Sequence, residues 1–488
     1  MTATATAPPL PLTRRSGLEL AAAIRAGKTS SRTVVEEHIA VIERRNGELN
    51  AIVAERFDAA RAEADAADAR VAAAAEDEEL PRFLGVPCTI KESFALQGMP
   101  NSAGMVARRE LRAERTSTAA KRLIAAGAIP LGVTNTSELT LWIETTNRVY
   151  GRTRNPYDPR RTVGGSSGGE GASVGAGFAP IGLGTDFGGS IRLPAFFCGV
   201  FGHKPTGLIV PHTGHFPVPN AGGSRLLGIG PLARRAEDLW PFLSAIAGHD
   251  GEDQSVGELR LGDPAEVSLA GLPVALSDDA SLWPASLELR NARVRAARAL
   301  AERGAEVRRV SLRGARRTAE LYLQAVREAG KLAEVFEEAG VPVPSVRHLI
   351  ADGVRRRGDH TLPLTMTLLA ERLSDLIPER YERKALAARD RLAREVEELI
   401  GDGVLLHPPF PRVAPRHGAT VGRPWTLAST ALFNLLGLPV TQVPLGLGER
   451  GLPLGVQVAG ARDGDHVTIA VALELEQAFG GWVPPEDR

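Results

Sequence analysis

The sequence predicts an α/β fold with a mixed, helix-covered sheet. Three observations carry this expectation. Short apolar runs alternate with helical patterns from about residue 84 onward. The hydrophobic fraction of 43% and charged fraction of 24% are those of a globular chain with a real core, not of a disordered or fibrous one. Finally, no Pro/Gly/Ser linker or internal repeat divides the 488 residues, so one large domain over 1–488 is expected.

The first 80 residues read as a helical arm. Ser16 and Ser30 or Ser31 are N-cap candidates, and Val34, Val35, Ile39 and Ile42 follow helical spacing. The Ala-rich run 59–75 reads as a solvated surface helix. A core segment spans 84–248. In it Val86–Ile90 is strand-like, Ser117–Ala128 helical, Ile129–Val133 strand-like, Glu138–Ile143 helical and Pro180–Thr185 strand-like. A variable region, about 255–400, contains the strand Leu272–Leu276 and helices near 287–303, 315–339 and 377–400, after one near 236–248. The C-terminal part, 404–480, supplies strands Val404–Leu406, Pro439–Val443 and Pro453–Val458 and a helix near 466–479.

Charge and cysteine content exclude several classes. Lys+Arg 58 balances Asp+Glu 58, which argues against a nucleic-acid binder and against a polybasic membrane anchor. Two cysteines, Cys88 and Cys198, cannot build a disulfide scaffold or a Cys-rich metal site, and both read as buried small apolar groups. Met1–Pro11 lacks the pattern of a secretory signal, and no apolar stretch reaches the ~20 residues of a membrane span. The expected location is the cytoplasm.

Two glycine-serine blocks carry the chemistry: Gly164-Gly165-Ser166-Ser167-Gly168-Gly169-Glu170-Gly171 and Gly184-Thr185-Asp186-Phe187-Gly188-Gly189-Ser190-Ile191-Arg192. Such turns let several backbone N–H groups converge on one spot, where a phosphate or a developing oxyanion can sit. Neither block contains the Lys of a P-loop or the spacing of a dinucleotide fingerprint. Residues 164–168 also satisfy G-x-S-x-G, the elbow of α/β-hydrolases, with His203, His212, His215, His407 and His417 downstream. That reading leaves the second block unexplained. Lys91 closes the first apolar strand. Only six of the 58 basic residues are Lys (28, 91, 121, 204, 331 and 384), so a plain surface cation here would be Arg. A Lys can lose its proton on burial and an Arg effectively cannot, which suggests a base. His212-x-x-His215 lacks a third ligand on a clear scaffold and is not read as a metal site. His203 and Lys204 are expected to support the fold, and Leu362–Leu369 to pack in the core rather than form a lid.

At these residues the chain resembles the amidase signature family, serine amidases with a Ser-cisSer-Lys triad. The resemblance is dense over 84–248, through Lys91, Thr162–Gly177 and Gly184–Pro205, and returns in patches at 405–415, 433–443 and 451–460. Leu96–Ser102, Asn135–Leu139, Asn155–Asp158 and Phe201–Pro205 are most similar to the fatty-acid amide hydrolase type 2 branch. The resemblance implies an α/β/α fold, a large mixed β-sheet covered by helices on both faces. It implies that Ser190 is the nucleophile, that Ser166 follows a cis peptide bond, and that Lys91 is the general base. It further implies that the N–H groups of Phe187, Gly188, Gly189 and Ser190 form the oxyanion hole, and that Thr140, Leu141, Trp142 and Ile143 line an acyl pocket. Ser167, Asp186 and Arg192 would support the site. Glu92 stands where the family commonly has Asp, as in the type 2 branch. That branch is membrane-anchored, whereas no such segment is read at this N-terminus. Residues 255–400 show no specific match.

The function implied is a serine amidohydrolase that cleaves linear C–N amide bonds with an apolar acyl side through an acyl-Ser190 intermediate, needing no cofactor and no metal. Carbamate (urethane) or ester hydrolysis by the same triad, and a glutamine-amidotransferase-type subunit supplying ammonia, are the alternatives. The expected partner is a small-molecule amide, with no nucleic acid and no membrane span. A homodimer is compatible with the sequence.

Overall fold

Strands form where β-branched and apolar residues recur between Gly and Pro turns, and their burial says how they are covered. Every residue of β2 (Val86–Lys91), β3 (Ala128–Thr134), β6 (Ile181–Asp186), β7 (Phe201–Lys204), β8 (Gly228–Ala233), β11 (Val404–His407) and β13 (Pro453–Gly460) is buried. Successive side chains point to opposite faces, so complete burial requires cover on both. With β1 (Ile52–Glu55), β9 (Pro273–Ser277), β10 (Glu306–Val310) and β12 (Val440–Leu447) these make one sheet of eleven strands, in the order β1-β3-β2-β6-β8-β7-β12-β13-β11-β9-β10. β4 (Thr146–Asn147) and β5 (Gly151–Arg152) pair separately. The sheet is mixed: β3, β2 and β6 run parallel at one end and β11, β9 and β10 at the other, with antiparallel pairs between. The computed structural model describes residues 10–218, 220–278, 284–355, 358–374 and 379–485.

β3 illustrates the two covered faces. Ile129 and Leu131 pack with the helices Ser31–Leu49 and Phe57–Ala73, whereas Ala128 and Val133 join Leu123, Phe242 and Leu243 on the other side. Ser16 caps Gly17–Arg25 in a capping box with Glu19, and Ser30 caps Ser31–Leu49. The Ala-rich helix Phe57–Ala73 buries only Phe57, Ala60, Ala64 and Ala67 and turns its charges outward, as its composition predicts.

The structure departs from the sequence reading in several places. The N-terminal arm is not wholly helical, because Ile52–Glu55 joins the sheet as an edge strand against β3. The helix expected over 138–143 is a single 3-10 turn, Glu138–Thr140. Leu139 and Thr140 take positive φ of 51° and 58°, with Leu139 N–H donating to Ala103 O at 2.8 Å. The helix expected over 315–339 breaks into Thr318–Glu328 and Leu332–Glu338 around Gly330, whose φ is 115°. Part of the helix expected over 377–400 lies outside the described residues; Glu379–Ile400 is helical. Leu362–Ser374 is a helix whose Leu364 and Leu368 pack with Phe336 and Leu349.

Candidate active site

The site assembles at the end of β2, where it lies beside β6 and the helix Gly168–Gly175. Val86, Cys88 and Ile90 point into the main core, so Thr89 and Lys91 point to the other face. Lys91 is fully buried. Its Nζ donates to Ser166 Oγ at 2.7 Å and to Thr185 Oγ1, on β6, at 2.6 Å. It makes no ion pair within 4 Å among the described residues. Burial lowers its pKa to about 7, against the opposing pull of Asp186, Glu170 and Glu92.

Ser166 follows a cis peptide bond with Gly165 and is itself buried. The glycines around it are there because nothing else fits. A Cβ on Gly165 would come within 2.5 Å of Trp142 O, and one on Gly168 within 2.1 Å of Thr145 Oγ1. Four glycines in the eight residues Gly168–Gly175 oppose helix formation, and close packing overrides that propensity. Ser167 anchors the turn. Its Oγ donates to Thr185 O at 3.1 Å and accepts from Thr185 N–H at 3.2 Å, and its N–H donates to Ser190 O at 3.2 Å.

The loop 187–190 lies between β6 and the helix Arg192–Phe197. Ser190 is 8% exposed against 1% for Ser166, which makes it the reachable hydroxyl of the two. Among the described residues its Oγ has no hydrogen-bond partner, so the structure joins Lys91 to Ser166 but not Ser166 to Ser190 by a side-chain hydrogen bond. The N–H groups of Phe187, Gly188 and Ser190 likewise have no partner there. Gly189 differs from the reading of four equal donors: its N–H already donates to Asp186 Oδ1 at 2.7 Å. The packing around the loop gives a local reason for glycine at 188 and 189. A Cβ at Gly188 would meet Tyr322 Oη at 2.5 Å, and one at Gly189, where φ is 126°, would meet Thr430 Oγ1 at 2.4 Å. Both contacts are with the residues that hold the loop: Tyr322 Oη donates to Phe187 O at 3.0 Å and Thr430 Oγ1 to Gly188 O at 2.7 Å.

Asp186 organises the loop from below. It accepts from the N–H groups of Gly189, Ile191 and Arg192, from Asn434 Nδ2, and in bidentate fashion from Arg192 Nε and Nη2, both at 2.9 Å. Burial would raise its pKa, but Arg192 and these donors outweigh it and hold the carboxyl well below the usual range. The Arg192 guanidinium also donates to Thr430 O, Gln457 Oε1 and Asn434 Oδ1, so a fully buried cation is completely partnered.

A cavity of about 660 Å³ reaches this loop at Phe187, and Lys91, Ser166 and Ser190 are not among its lining residues. Thr140 and Leu141 of the expected pocket segment line it, with Phe187. Trp142 and Ile143 do not. Trp142 Nε1 donates to Thr420 Oγ1 at 3.1 Å, and Ile143 is buried in the main core. The rest of the wall comes from the region without a sequence match, including Leu323, Leu332 and Val335, and from Pro217, Val218 and Leu227. His212 and His215 do not converge on a common point: His212 Nε2 meets Leu227 O, and His215 Nδ1 meets Pro217 O. His203 lies between Thr441 and Asp465, bracing β7.

Sequence reasoning missed Thr185, Tyr322, Thr430, Asn434 and Gln457. Thr185 could have been suspected from its place before Asp186 in the second block. The others act across separations of 100 residues or more and leave no local signal.

A buried amine touching a serine, a second and more exposed serine, and a loop with free N–H groups beside an apolar cavity are the parts of an acyl-transfer site. The comparisons agree with that class. The Amidase family profile matches residues 33–469, and the chain belongs to this family of amide hydrolases. It is 40% identical to human fatty-acid amide hydrolase 2, over 97% of this chain and 91% of the relative. The glutamyl-tRNA(Gln) amidotransferase subunit of Anaeromyxobacter sp. (strain K) is 35% identical, over 97% and 98% of the two chains. Among solved structures, 6-aminohexanoate cyclic dimer hydrolase superposes with a TM-score of 0.81 at 26% identity, covering 98% of this chain and 99% of the other. No helix among the described residues is long and apolar enough to cross a membrane.

Proposed function

We propose that the chain hydrolyses linear amides with an apolar acyl or aryl side, using Lys91 as base, Ser166 as proton relay and Ser190 as nucleophile. The observation that carries this reading is the Lys91 Nζ to Ser166 Oγ contact of 2.7 Å by an amine whose pKa burial has lowered to about 7. A neutral amine takes the Ser166 proton as Ser166 takes that of Ser190, so the hydroxyl acts as donor and acceptor at once. Ser190 Oγ turns toward Ser166 as substrate binds; such contacts commonly tighten only in the Michaelis complex. Attack on the carbonyl places the oxyanion near the free N–H groups of Phe187, Gly188 and Ser190. The relay run in reverse delivers the proton to the leaving amine. Water then cleaves the acyl-Ser190 ester by the same path, and the free serine is restored.

The apolar wall of Leu141, Leu227, Leu323, Leu332 and Val335, with its volume of about 660 Å³, supports a large hydrophobic acyl or aryl group. The higher identity to fatty-acid amide hydrolase 2 than to the amidotransferase protein supports free hydrolysis over ammonia supply. A fluorophosphonate probe tests the nucleophile: peptide mapping should place the adduct on Ser190, and an adduct on Ser166 or Ser167 would refute the assignment. A panel of amides, anilides, carbamates and esters on the purified chain tests the substrate. Hydrolysis of glutamine alone would defeat the apolar reading.

A further inference from the structure

The helix Gly168–Gly175 brings a carboxyl to the same sheet face as Lys91, and the relay above gives it no task. Glu170 Oε2 accepts from Thr89 Oγ1 at 2.5 Å, and Oε1 from Thr134 Oγ1 at 2.7 Å. Thr89 is two residues before Lys91 on β2, and Thr134 is the residue paired with Lys91 on β3. On β6, Gly182 lies beside Thr89 in register, and a Cβ there would come within 1.9 Å of Glu170 Oε2. Three neighbouring strands thus make room for this carboxyl and hold it, yet among the described residues its only hydrogen-bond donors are two neutral hydroxyls.

The other groups facing Lys91 are settled differently. Asp186 is bound to Arg192 and several N–H groups. Glu92 accepts from Ser102 N–H and Oγ, Ala103 N–H and Tyr150 Oη. Burial pushes the His215 pKa well below its ordinary value, with Lys91 adding to the effect. Cys88, on the opposite face of β2, is held as a thiol by burial, with Glu170 adding to the effect. Glu170 is the carboxyl near the amine with the fewest donors of the three.

We propose that Glu170 is a positioning residue of the base: its charge, held against the sheet face that carries Lys91, sets how firmly the amine keeps its proton. The inference rests on Lys91 being the base. Burial brings Glu170 up to about 7 and Lys91 down to about 7, and each group opposes the other's shift. Two such sites titrate as a pair. An ionised Glu170 retains the proton on Lys91, and an uncharged side chain at 170 releases it at lower pH.

The test is kcat/KM on an amide substrate from about pH 5.5 to 9.5 for the wild-type chain, Glu170→Gln and Lys91→Met. Glu170→Gln keeps the shape and loses the charge. Its acid limb should move to lower pH by about one unit, giving up to about tenfold more of its own plateau activity below the limb. An unmoved limb, or one moved to higher pH, overturns the proposal. Thr134→Val gives the same comparison if Glu170→Gln does not fold. Losing that hydroxyl makes Glu170 harder to ionise, so the limb again moves down, and no movement again overturns it. Lys91→Met separates the two ideas: activity in that variant removes the base itself, whereas an inactive Lys91→Met with an unmoved Glu170→Gln limb removes only the part assigned to Glu170.

Discussion

Replacing Lys91 by Met should abolish hydrolysis while stabilising the fold at neutral pH, and the gain should vanish as pH rises. The amine has its ordinary pKa of 10.5 when unfolded and about 7 when buried. Below pH 7 both states hold the proton, and the native state bears the whole burial penalty. Between the two values the unfolded chain binds the proton that the native chain has lost, so stability rises with pH by about 1.4 kcal/mol per unit. At pH 7 the penalty is about 4 kcal/mol, and at pH 9.5 about 1 kcal/mol. Met fills similar space without a charge but forfeits the contacts to Ser166 and Thr185, about 1 kcal/mol each. The net gain is therefore about 2 kcal/mol at pH 7, near zero around pH 9, and slightly negative beyond. For a chain of this length 1 kcal/mol corresponds to about 1 °C in Tm. Thermal unfolding of both proteins at one scan rate, at about pH 7, 8, 9 and 9.5, gives the comparison. A Tm difference that does not change with pH, or that grows as pH rises, would refute the claim that Lys91 is held unprotonated by burial.

Four further outcomes are expected. With chemistry limiting, wild-type kcat/KM should rise through about pH 7 as Lys91 loses its proton, and a flat profile across the neutral range would contradict a lysine base. Arg192→Met leaves Asp186 charged and unpaired in the core and should cost about 3–5 kcal/mol, seen as a lower Tm and a loss of soluble protein. Gly189→Ala should lower both turnover and Tm, because its Cβ meets buried Thr430 and its φ of 126° disfavours a side chain; full stability with activity lost would mean the loop had room to spare. Val335→Trp should raise KM for long-chain acyl amides by about tenfold and leave acetanilide-sized substrates near wild type, measured by paired substrate kinetics.

The sequence displayed those parts of the fold whose signal is local. Strands such as Val86–Lys91 and Val404–His407 are short, largely apolar runs, and Ser16 and Ser30 announce their helices by capping chemistry. Four strands of the eleven-stranded sheet were not legible, each for its own reason. Ile52–Glu55 is four residues inside a helical stretch, and Phe201–Lys204 ends in His and Lys that the interior satisfies with Asp465 and Pro205 O. Gly228–Ala233 carries two glycines and a proline, and Glu306–Val310 is an edge strand with exposed charges. Lys91, Ser166 and Ser190 stood out because the two glycine-serine blocks are so unlike their surroundings. Tyr322, Thr430 and Asn434, which hold the loop 187–190, lie in ordinary helices far along the chain, and only the fold brings them there.

Two buried lysines show why a shifted pKa by itself does not find a base. Burial brings both Lys91 and Lys204 to about 7. Lys204 Nζ donates to the carbonyl of its neighbour Pro205 at 2.7 Å, with Arg192 adding to the effect of burial, and a carbonyl has no proton to give. Lys91 Nζ meets two hydroxyls, one of them Ser166, on the turn whose Ser167 N–H donates to Ser190 O. The same desolvation thus acts on an amine held by a carbonyl in one place and on the amine proposed as the base in the other. What separates them is the chemistry of the partner: a hydroxyl can pass a proton in either direction, and the glycines at 165 and 168 are what allow Ser166 to come close enough to do so.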